Sequence, residues 1–408
     1  MGSEWRIGTL RDALGEKGYI RGPFGSALRR PELKTNGIPV YEQQHAITGT
    51  REFRFYIDEQ KYQSMKRFAV QPDDLIVSCS GTLARVSMIC SDDPIGIISQ
   101  ALLILRPDKT VVWPKYLYYF MSSKRGYDSL TGVSTGSVQV NIARRSIIEK
   151  TELPLPPLPE QRSIAHILGS LDDKIELNRR MNQTLEAMAR AIFKHWFIDF
   201  EFPNENGEPY KSSGGEMIDS PLGPIPKGWR IGRIEDVCEF SYGKALKADK
   251  RIQGRIPVYG SNGQIGWHNE RLVSGPGIIV GRKGNPGLIH WSEEDFFPID
   301  TTFYVVQRVG KSIMHFLYFA LKHADLPRLS ADSAVPGLNR NIAYMQQLVI
   351  PTEQLLRDFE NRISIIFDLL QTNSWQNQSL SELRDSLLPK LMSGEIRVPV
   401  SEKEVDQF

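Results

Sequence analysis

The sequence predicts an α/β (α+β) protein. Two globular domains are joined by two long, antiparallel, coiled-coil-like helices, with a pseudo-twofold internal repeat. Three observations predict this. One ordered set of short phrases occurs twice along 408 residues. Each copy ends in a long apolar heptad seam. Two Asn stand in the middle of that seam in both copies, in NRRMNQTL (178–185) and NSWQNQSL (373–380).

The repeat comes first, because an unnoticed repeat misassigns the fold. WRIG opens at Trp5 and again at Trp229, IPVY at Ile38 and Ile256, and NIA at Asn141 and Asn341. LPLPPLPEQ (153–161) is echoed by LVIPTEQ (348–354). The offset between copies falls from 224 at the Trp pair to 195 at the Asn segments, so the second copy is shorter by 29 residues. A period near 200 is far above solenoid periods of about 20–50 residues, so this is a duplicated domain pair.

Six segments follow in order: a block over 1–155, a helix over 156–200, a linker over 201–228, a second block over 229–350, a second helix over 351–398, and a tail over 399–408. The blocks carry short apolar runs such as DLIVSCS, IGIISQALLIL, PGIIVGR and TTFYVVQ, separated by Gly, Pro, Asn and Ser. Runs of this length with β-branched residues read as strands of a mixed or antiparallel sheet. WPKYLYYFMSS (113–123) and SIMHFLYFALKHA (312–324) read as one helix per block. The segment between Phe202 and Trp229 is rich in Pro, Gly, Ser and Asn, a linker by composition.

The helices carry the strongest periodic signal. From Ile164 the apolar positions step 4, 3, 4, 3 to Trp196, with Asn178 and Asn182 on the seam. The second seam runs in the same register from Phe359 to Leu391, with Asn373, Asn377 and one charged intruder, Arg384. Pro157, Pro159 and Pro351 precede the helices, and Gly394 is placed to end the second. Antiparallel pairing would set Asn178 against Asn377 and Asn182 against Asn373. A parallel pair would also match Asn to Asn, so the sequence alone does not decide. The antiparallel choice makes a two-headed spacer of roughly 55 Å for a helix of about 37 residues. Paired seam Asn cost stability and specify register.

Composition limits the function. The net charge is +2, too small for a protein that coats nucleic acid indiscriminately, so any such binding is expected through local patches. Three cysteines without a CxxC pair point to buried structural thiols and a reducing cytoplasm. No apolar run approaches the roughly 18 residues of a membrane span, and the start has no apolar signal core. No HExxH, GxSxG, P-loop or NPP[YF]-type motif is present, and the seven His show no metal spacing. His166 and His195 read as surface or helix-end residues. No catalytic residue and no metal ligand are expected.

Loops within the blocks supply different chemistry. In the first block they offer Gln43, Gln44, His45, Ser80, Thr82, Arg85, Ser134, Thr135, Gln139, Asn141 and Arg144. In the second they offer Ser261, Asn262, Arg282, Lys283, Asn285, Asn339 and Arg340. Gln and Asn match adenine edges, Arg matches guanine, and hydroxyl and Lys groups match phosphates. Two such sets that differ in residues suit two different DNA half-sites. Phe193, Trp196 and Phe197, and Leu388 and Met392, form an apolar surplus that is more than one seam can bury.

The stretch LPLPPLPEQRSIAHILGSLDDKIELNRRMNQTLEAMARAIFKHWFIDFE resembles the central conserved region of specificity subunits of type I restriction–modification enzymes. LRDSLLPKLMSGEIRV (383–398) is similar to their C-terminal conserved region, and IPKGW (225–229) and GPFGSAL (22–28) to phrases at the start of their target recognition domains. The first block departs by lacking an IPKGW lead-in, and Arg384 makes the second seam less regular. The resemblance implies a non-catalytic subunit whose two target recognition domains each read half of a bipartite double-stranded DNA site in the major groove. It implies helices that set the spacer and dock two modification (methyltransferase) subunits, expected at the apolar surplus of Phe193, Trp196, Phe197, Leu388 and Met392. It also implies motor-nuclease restriction subunits. S-adenosylmethionine, ATP and Mg²⁺ would belong to those partners, with no cofactor in this chain. The alternative is a coiled-coil assembly scaffold or protein-interaction module without DNA specificity.

Overall fold

In a computed structural model of the chain, the structure describes residues 5–24, 27–132, 141–308, 312–330 and 337–398. The chain forms two compact units that do not follow linear order. One comprises residues up to Glu176 together with those from Asn377 onward; the other is Leu177–Gln376. Each unit therefore holds one block and half of each long helix.

In the first unit four antiparallel strands lie in the order Tyr19–Arg21, Leu102–Leu105, Leu75–Ser78, Val86–Met88. Alternate side chains point to opposite faces of a strand. Leu75, Val77, Leu103 and Leu105 join a core with Tyr116, Leu117 and Phe120 of the helix Pro114–Ser122. Ile76, Leu102 and Ile104 join a second core with Tyr41 and Ile98 on the other face. Both faces are covered, which is why these strands read as unbroken apolar runs. The run IGIISQALLIL is divided between two sheets. Ile97–Ile98 pairs in parallel with Ile38–Tyr41, and Leu102–Leu105 sits in the four-stranded sheet. A turn closed by Leu102 N–H to Ser99 C=O makes the change of sheet.

The second unit repeats the topology. Its four-stranded sheet runs Cys238–Tyr242, Thr302–Gln307, Gly277–Gly281, Ile289–Ser292. Its three-stranded sheet pairs Ile256–Gly260 with Gly263–His268 and with Phe297–Pro298. The helix Met314–His323 occupies the place of Pro114–Ser122. Each block closes on itself by pairing its first strand with its last, Arg6–Thr9 with Glu152–Leu155 and Arg230–Arg233 with Gln347–Ile350.

The long helices span Leu158–Phe197 and Glu353–Ser393, and Gly394 takes the left-handed φ of 78° after the second. Within each unit they run antiparallel, since one partner number rises as the other falls. In the first unit Glu160 pairs with Arg397 and Asp172 with Arg384. In the second, Asn178 pairs with Gln376 and Asn182 with Asn373. The charged intruder thus has a counterion: Arg384 Nη1 lies 2.8 Å from Asp172, whose other oxygen accepts from Tyr119 Oη at 2.7 Å.

Two expectations change. The compositional linker is packed. Phe202 is buried, stacks on Tyr210 at 4.5 Å and on Trp229 at 5.2 Å, and the segment forms its own strand pair, Met217–Ile218 with Ile225–Pro226. Its few aromatic anchors outweigh its polar composition. Of the thiols, Cys79 and Cys238 are buried, but Cys90 is exposed.

Candidate nucleic-acid interface

In the first unit the turn after Leu75–Ser78 organises one end of the sheet. Ser78 Oγ accepts from Arg85 N–H at 2.9 Å and donates to the Thr82 carbonyl at 2.6 Å. The Gln43 amide donates to the Ser80 and Thr82 carbonyls, and Ser80 Oγ donates back to Gln43 Oε1 at 3.4 Å. Ser80 also forms a β-bridge with Asn141. Gln43, Ser80, Thr82 and Asn141 are thereby gathered, while Thr82, Arg85, Asn141 and Arg144 remain exposed. Gly81 and Ala84 both have left-handed φ, 60° and 57°. For Ala this costs about 1–2 kcal/mol, a strain of the kind concentrated at functional turns. Gln44 is exposed and donates to the Glu52 carbonyl at 3.3 Å.

His45 is corrected from a DNA contact to a structural residue. Its ring is fully buried and stacks on Phe53 at 4.7 Å. Nδ1 accepts from Glu42 N–H at 2.7 Å, and Nε2 donates to the Glu52 carbonyl at 2.9 Å. Ser134, Thr135 and Gln139 lie outside the described residues.

Beside this turn is a cavity of about 310 Å³ lined by Tyr19, Arg21, Phe24, Arg67, Arg144 and Arg145, among others. Arg145 pairs with Glu149 at 2.8 Å and lies over the Tyr19 ring at 5.0 Å. Among the described residues, Arg21, Arg67 and Arg144 form no ion pair with a carboxylate. Burial pushes the Tyr19 hydroxyl up to about 12, and likewise the Cys79 thiol next to Arg21. Arg21 and Arg67 were not anticipated from the sequence. They come from separate segments, and no local motif links them to Arg144.

In the second unit the corresponding loops are tied together by side chains. Ser261 Oγ donates to the Lys283 carbonyl, and the Asn285 amide donates to Asn262 Oδ1. Leu338 N–H donates to the Arg282 carbonyl at 2.8 Å, which brings Arg340 alongside. Arg282 and Arg340 lie 5.0 and 5.1 Å from the ring of Tyr242, which is 51% exposed. Ser261, Asn262, Arg282, Lys283, Asn285 and Arg340 therefore form one cluster. Ser261 is buried and serves as a tie within it. Asn339 accepts from the Asn341 and Ile342 N–H groups and caps the helix Arg340–Tyr344. The cap occupies its side-chain oxygen, and the residue remains exposed.

On the seam, Asn373 Nδ2 donates to Asn182 Oδ1 at 2.8 Å. Asn182 Nδ2 reaches the Leu370 carbonyl at 3.3 Å and Ser374 Oγ at 3.4 Å. Asn178, fully buried, donates to Gln376 Oε1 at 2.8 Å. Asn377 is half-buried on the same seam.

The expected docking residues are corrected. Phe193, Trp196 and Phe197 are 4–6% exposed and fill the second unit's core. Phe197 meets Phe316, Phe359 and Trp229 at 5.0, 4.8 and 5.9 Å. Met392 is buried and Leu388 partly buried in the first unit's core. The apolar surplus is consumed inside the chain because each helix end also forms the wall of a block. The exposed large apolar side chains on the helices are instead Leu177, Met181 and Met188 on the first, and Ile365, Leu369, Trp375 and Leu383 on the second.

Two topologically equivalent units, each with its own loop cluster rich in Arg and amide groups, define an internally duplicated, loop-based recognition protein. The sequence pattern of the type I restriction modification DNA specificity domain matches residues 25–187 and 226–378, and the chain belongs to that family. The type I restriction enzyme MjaIX specificity subunit of Methanocaldococcus jannaschii is 25% identical over 377 residues, covering 81% of each chain. The HindI specificity subunit of Haemophilus influenzae is 24% identical over 378 residues, covering 74% of this chain and 81% of its own. The crystal structure of a type I restriction–modification S subunit from M. genitalium shares the fold, with a TM-score of 0.61 at 18% identity over 95% of this chain and 96% of its own. Among the described residues, no helix is long and apolar enough to cross a membrane, and no group of three or more His, Cys, Asp or Glu is placed to hold a metal.

Proposed function

We propose that this chain is the DNA-reading subunit of a type I restriction–modification complex, non-catalytic by itself. Each unit reads one half of a bipartite site in the major groove. The carrying observation is that equivalent ends of equivalent sheets bear different residues: Thr82, Arg85 and Asn141 in one unit, and Asn262, Arg282, Lys283, Asn285 and Arg340 in the other. A shared scaffold with divergent polar loops supports two different half-sites.

The long helices act as the spacer between the half-sites. Modification subunits dock on the exposed apolar residues Leu177, Met181 and Met188, and Ile365 and Leu369. S-adenosylmethionine is bound and adenine methylated in those subunits. ATP and Mg²⁺ belong to motor-nuclease subunits, and the assembly works in the cytoplasm.

The test is adenine methylation mapping in a host carrying this chain and its modification subunit. The expected result is one bipartite motif. Exchanging one block for that of another family member should change one half of it. Deleting a heptad from each helix should shorten or abolish the spacing. A methylated motif that is indifferent to both changes would refute the reading.

A further inference from the structure

The cavity beside Tyr19 gathers four guanidinium groups from three separate elements. Arg21 ends a strand, Arg67 lies in the 3₁₀ turn Lys66–Phe68, and Arg144 and Arg145 start the helix Arg145–Ile148. Glu149 offsets one of the four through its 2.8 Å bond to Arg145. Arg21 Nη1 is buried and has no hydrogen-bond partner. Converging like charges repel one another, and a buried guanidinium N–H without an acceptor adds a desolvation penalty. An anion seated in the cavity removes both costs.

Size and shape narrow the ligand. About 310 Å³ is at the lower limit of small-molecule sites, too small for a large cofactor. Reading base edges requires side chains that project into a groove. A concave seat instead receives a projecting group. Guanidinium pairs match phosphate oxygens in fork geometry.

The second unit supplies an independent parallel. Gly22 N–H donates to the Leu102 carbonyl and Gly243 N–H to the Thr302 carbonyl, so Arg21 and Tyr242 occupy equivalent sheet positions. There, too, two arginines meet, Arg282 and Arg340, one on backbone carbonyl Asp300 at 3.1 Å and one on Phe240 at 3.4 Å. Different residues thus place positive charge at the same position in both sheets.

We propose that Arg21, Arg67, Arg144 and Arg145 form a seat for a backbone phosphate of duplex DNA, positioning the first unit without reading sequence. The proposal rests on the DNA-reading function above. The full chain is titrated with a random-sequence duplex and with inorganic tripolyphosphate over a range of salt. Arg67→Gln/Arg144→Gln uses two exposed residues, so the fold is not at stake. Losing two phosphate contacts should flatten the slope of log K against log salt by about 1.8 and weaken binding roughly thirtyfold near 0.15 M salt. The loss should be equal on every sequence, and Arg67→Lys/Arg144→Lys should recover most of the slope. An unchanged slope with wild-type binding intact overturns the seat and spares the DNA-reading function. Loss confined to one sequence, or tripolyphosphate preferred over duplex, also overturns it. A wild type that binds no duplex at any salt overturns both readings.

Discussion

Removing the Asn pair at the middle of the seam gives a quantitative check on how the helices recognise each other. Asn373 is 7% exposed and donates to Asn182 Oδ1 at 2.8 Å. In Asn373→Ala, Asn182 keeps its own donations to Leu370 and Ser374 but loses its donor. A lost neutral hydrogen bond costs about 1 kcal/mol, and an acceptor left buried raises this to as much as about 3 kcal/mol. Asn182 is half-buried, so water returns part of that cost. Ala gains about 0.5 kcal/mol of helix propensity. The net expectation is a loss of about 1–2 kcal/mol. Asn182→Ala deletes all three contacts and should cost at least as much. The double variant should cost less than the sum, with a coupling energy of about 1 kcal/mol. Urea denaturation of the four full-length proteins, followed by far-UV circular dichroism, measures the cycle. Additive single variants would show that the pair contributes nothing beyond helix packing and does not specify register.

Four further outcomes follow from the structure. Phe197→Ala should lower stability by about 3–5 kcal/mol, as for other buried aromatics, in the absence of any partner; a fully stable variant returns Phe197 to the docking surface. Asp172→Asn keeps an oxygen for Tyr119 but breaks the partly exposed pair with Arg384, so about 1 kcal/mol should be lost at low salt and little at high salt; a salt-independent loss contradicts this. Burial pushes the Cys79 and Cys238 thiols up to about 12, so iodoacetamide at pH 8 should alkylate only the exposed Cys90 in the folded protein and all three after denaturation, as read by mass spectrometry. Burial raises the Glu160 carboxyl, but hydrogen bonds from Arg397 and Trp5 outweigh it and hold the group below the usual carboxylate range. Its stabilisation is complete above the unfolded carboxylate pKa of about 4.3 and is lost as pH falls through the lower folded value. Glu160→Gln should remove that acid limb from a pH-stability curve.

The loop chemistry was only partly legible. Ser80, Thr82 and Asn141 were readable as polar loop residues because their immediate neighbours are turn formers. His45 looked the same on paper. Its burial depends on Phe53 and Tyr41 enclosing the ring, which no local pattern records. Asn339 stands in a polar loop, yet its oxygen is used by its own helix. Arg21 and Arg67 are distant from Arg144 in sequence and meet only because the sheet and a 3₁₀ turn close around one space.

By itself, the sequence determined what is periodic or repeated: the duplicated order of elements, the strands, the heptad seam and the Asn at its centre. Those features follow from local patterns that side-chain period imposes on any buried strand or helix. Tertiary structure alone decided which half of each helix belongs to which block. Antiparallel pairing puts the start of one helix beside the end of the other, so Glu160 meets Arg397 and each compact unit is assembled from two separate stretches of chain. The same pairing decides the fate of Phe193, Trp196 and Phe197. A helical wheel shows apolar residues beyond one seam, but only the fold shows that the block behind them fills that second face.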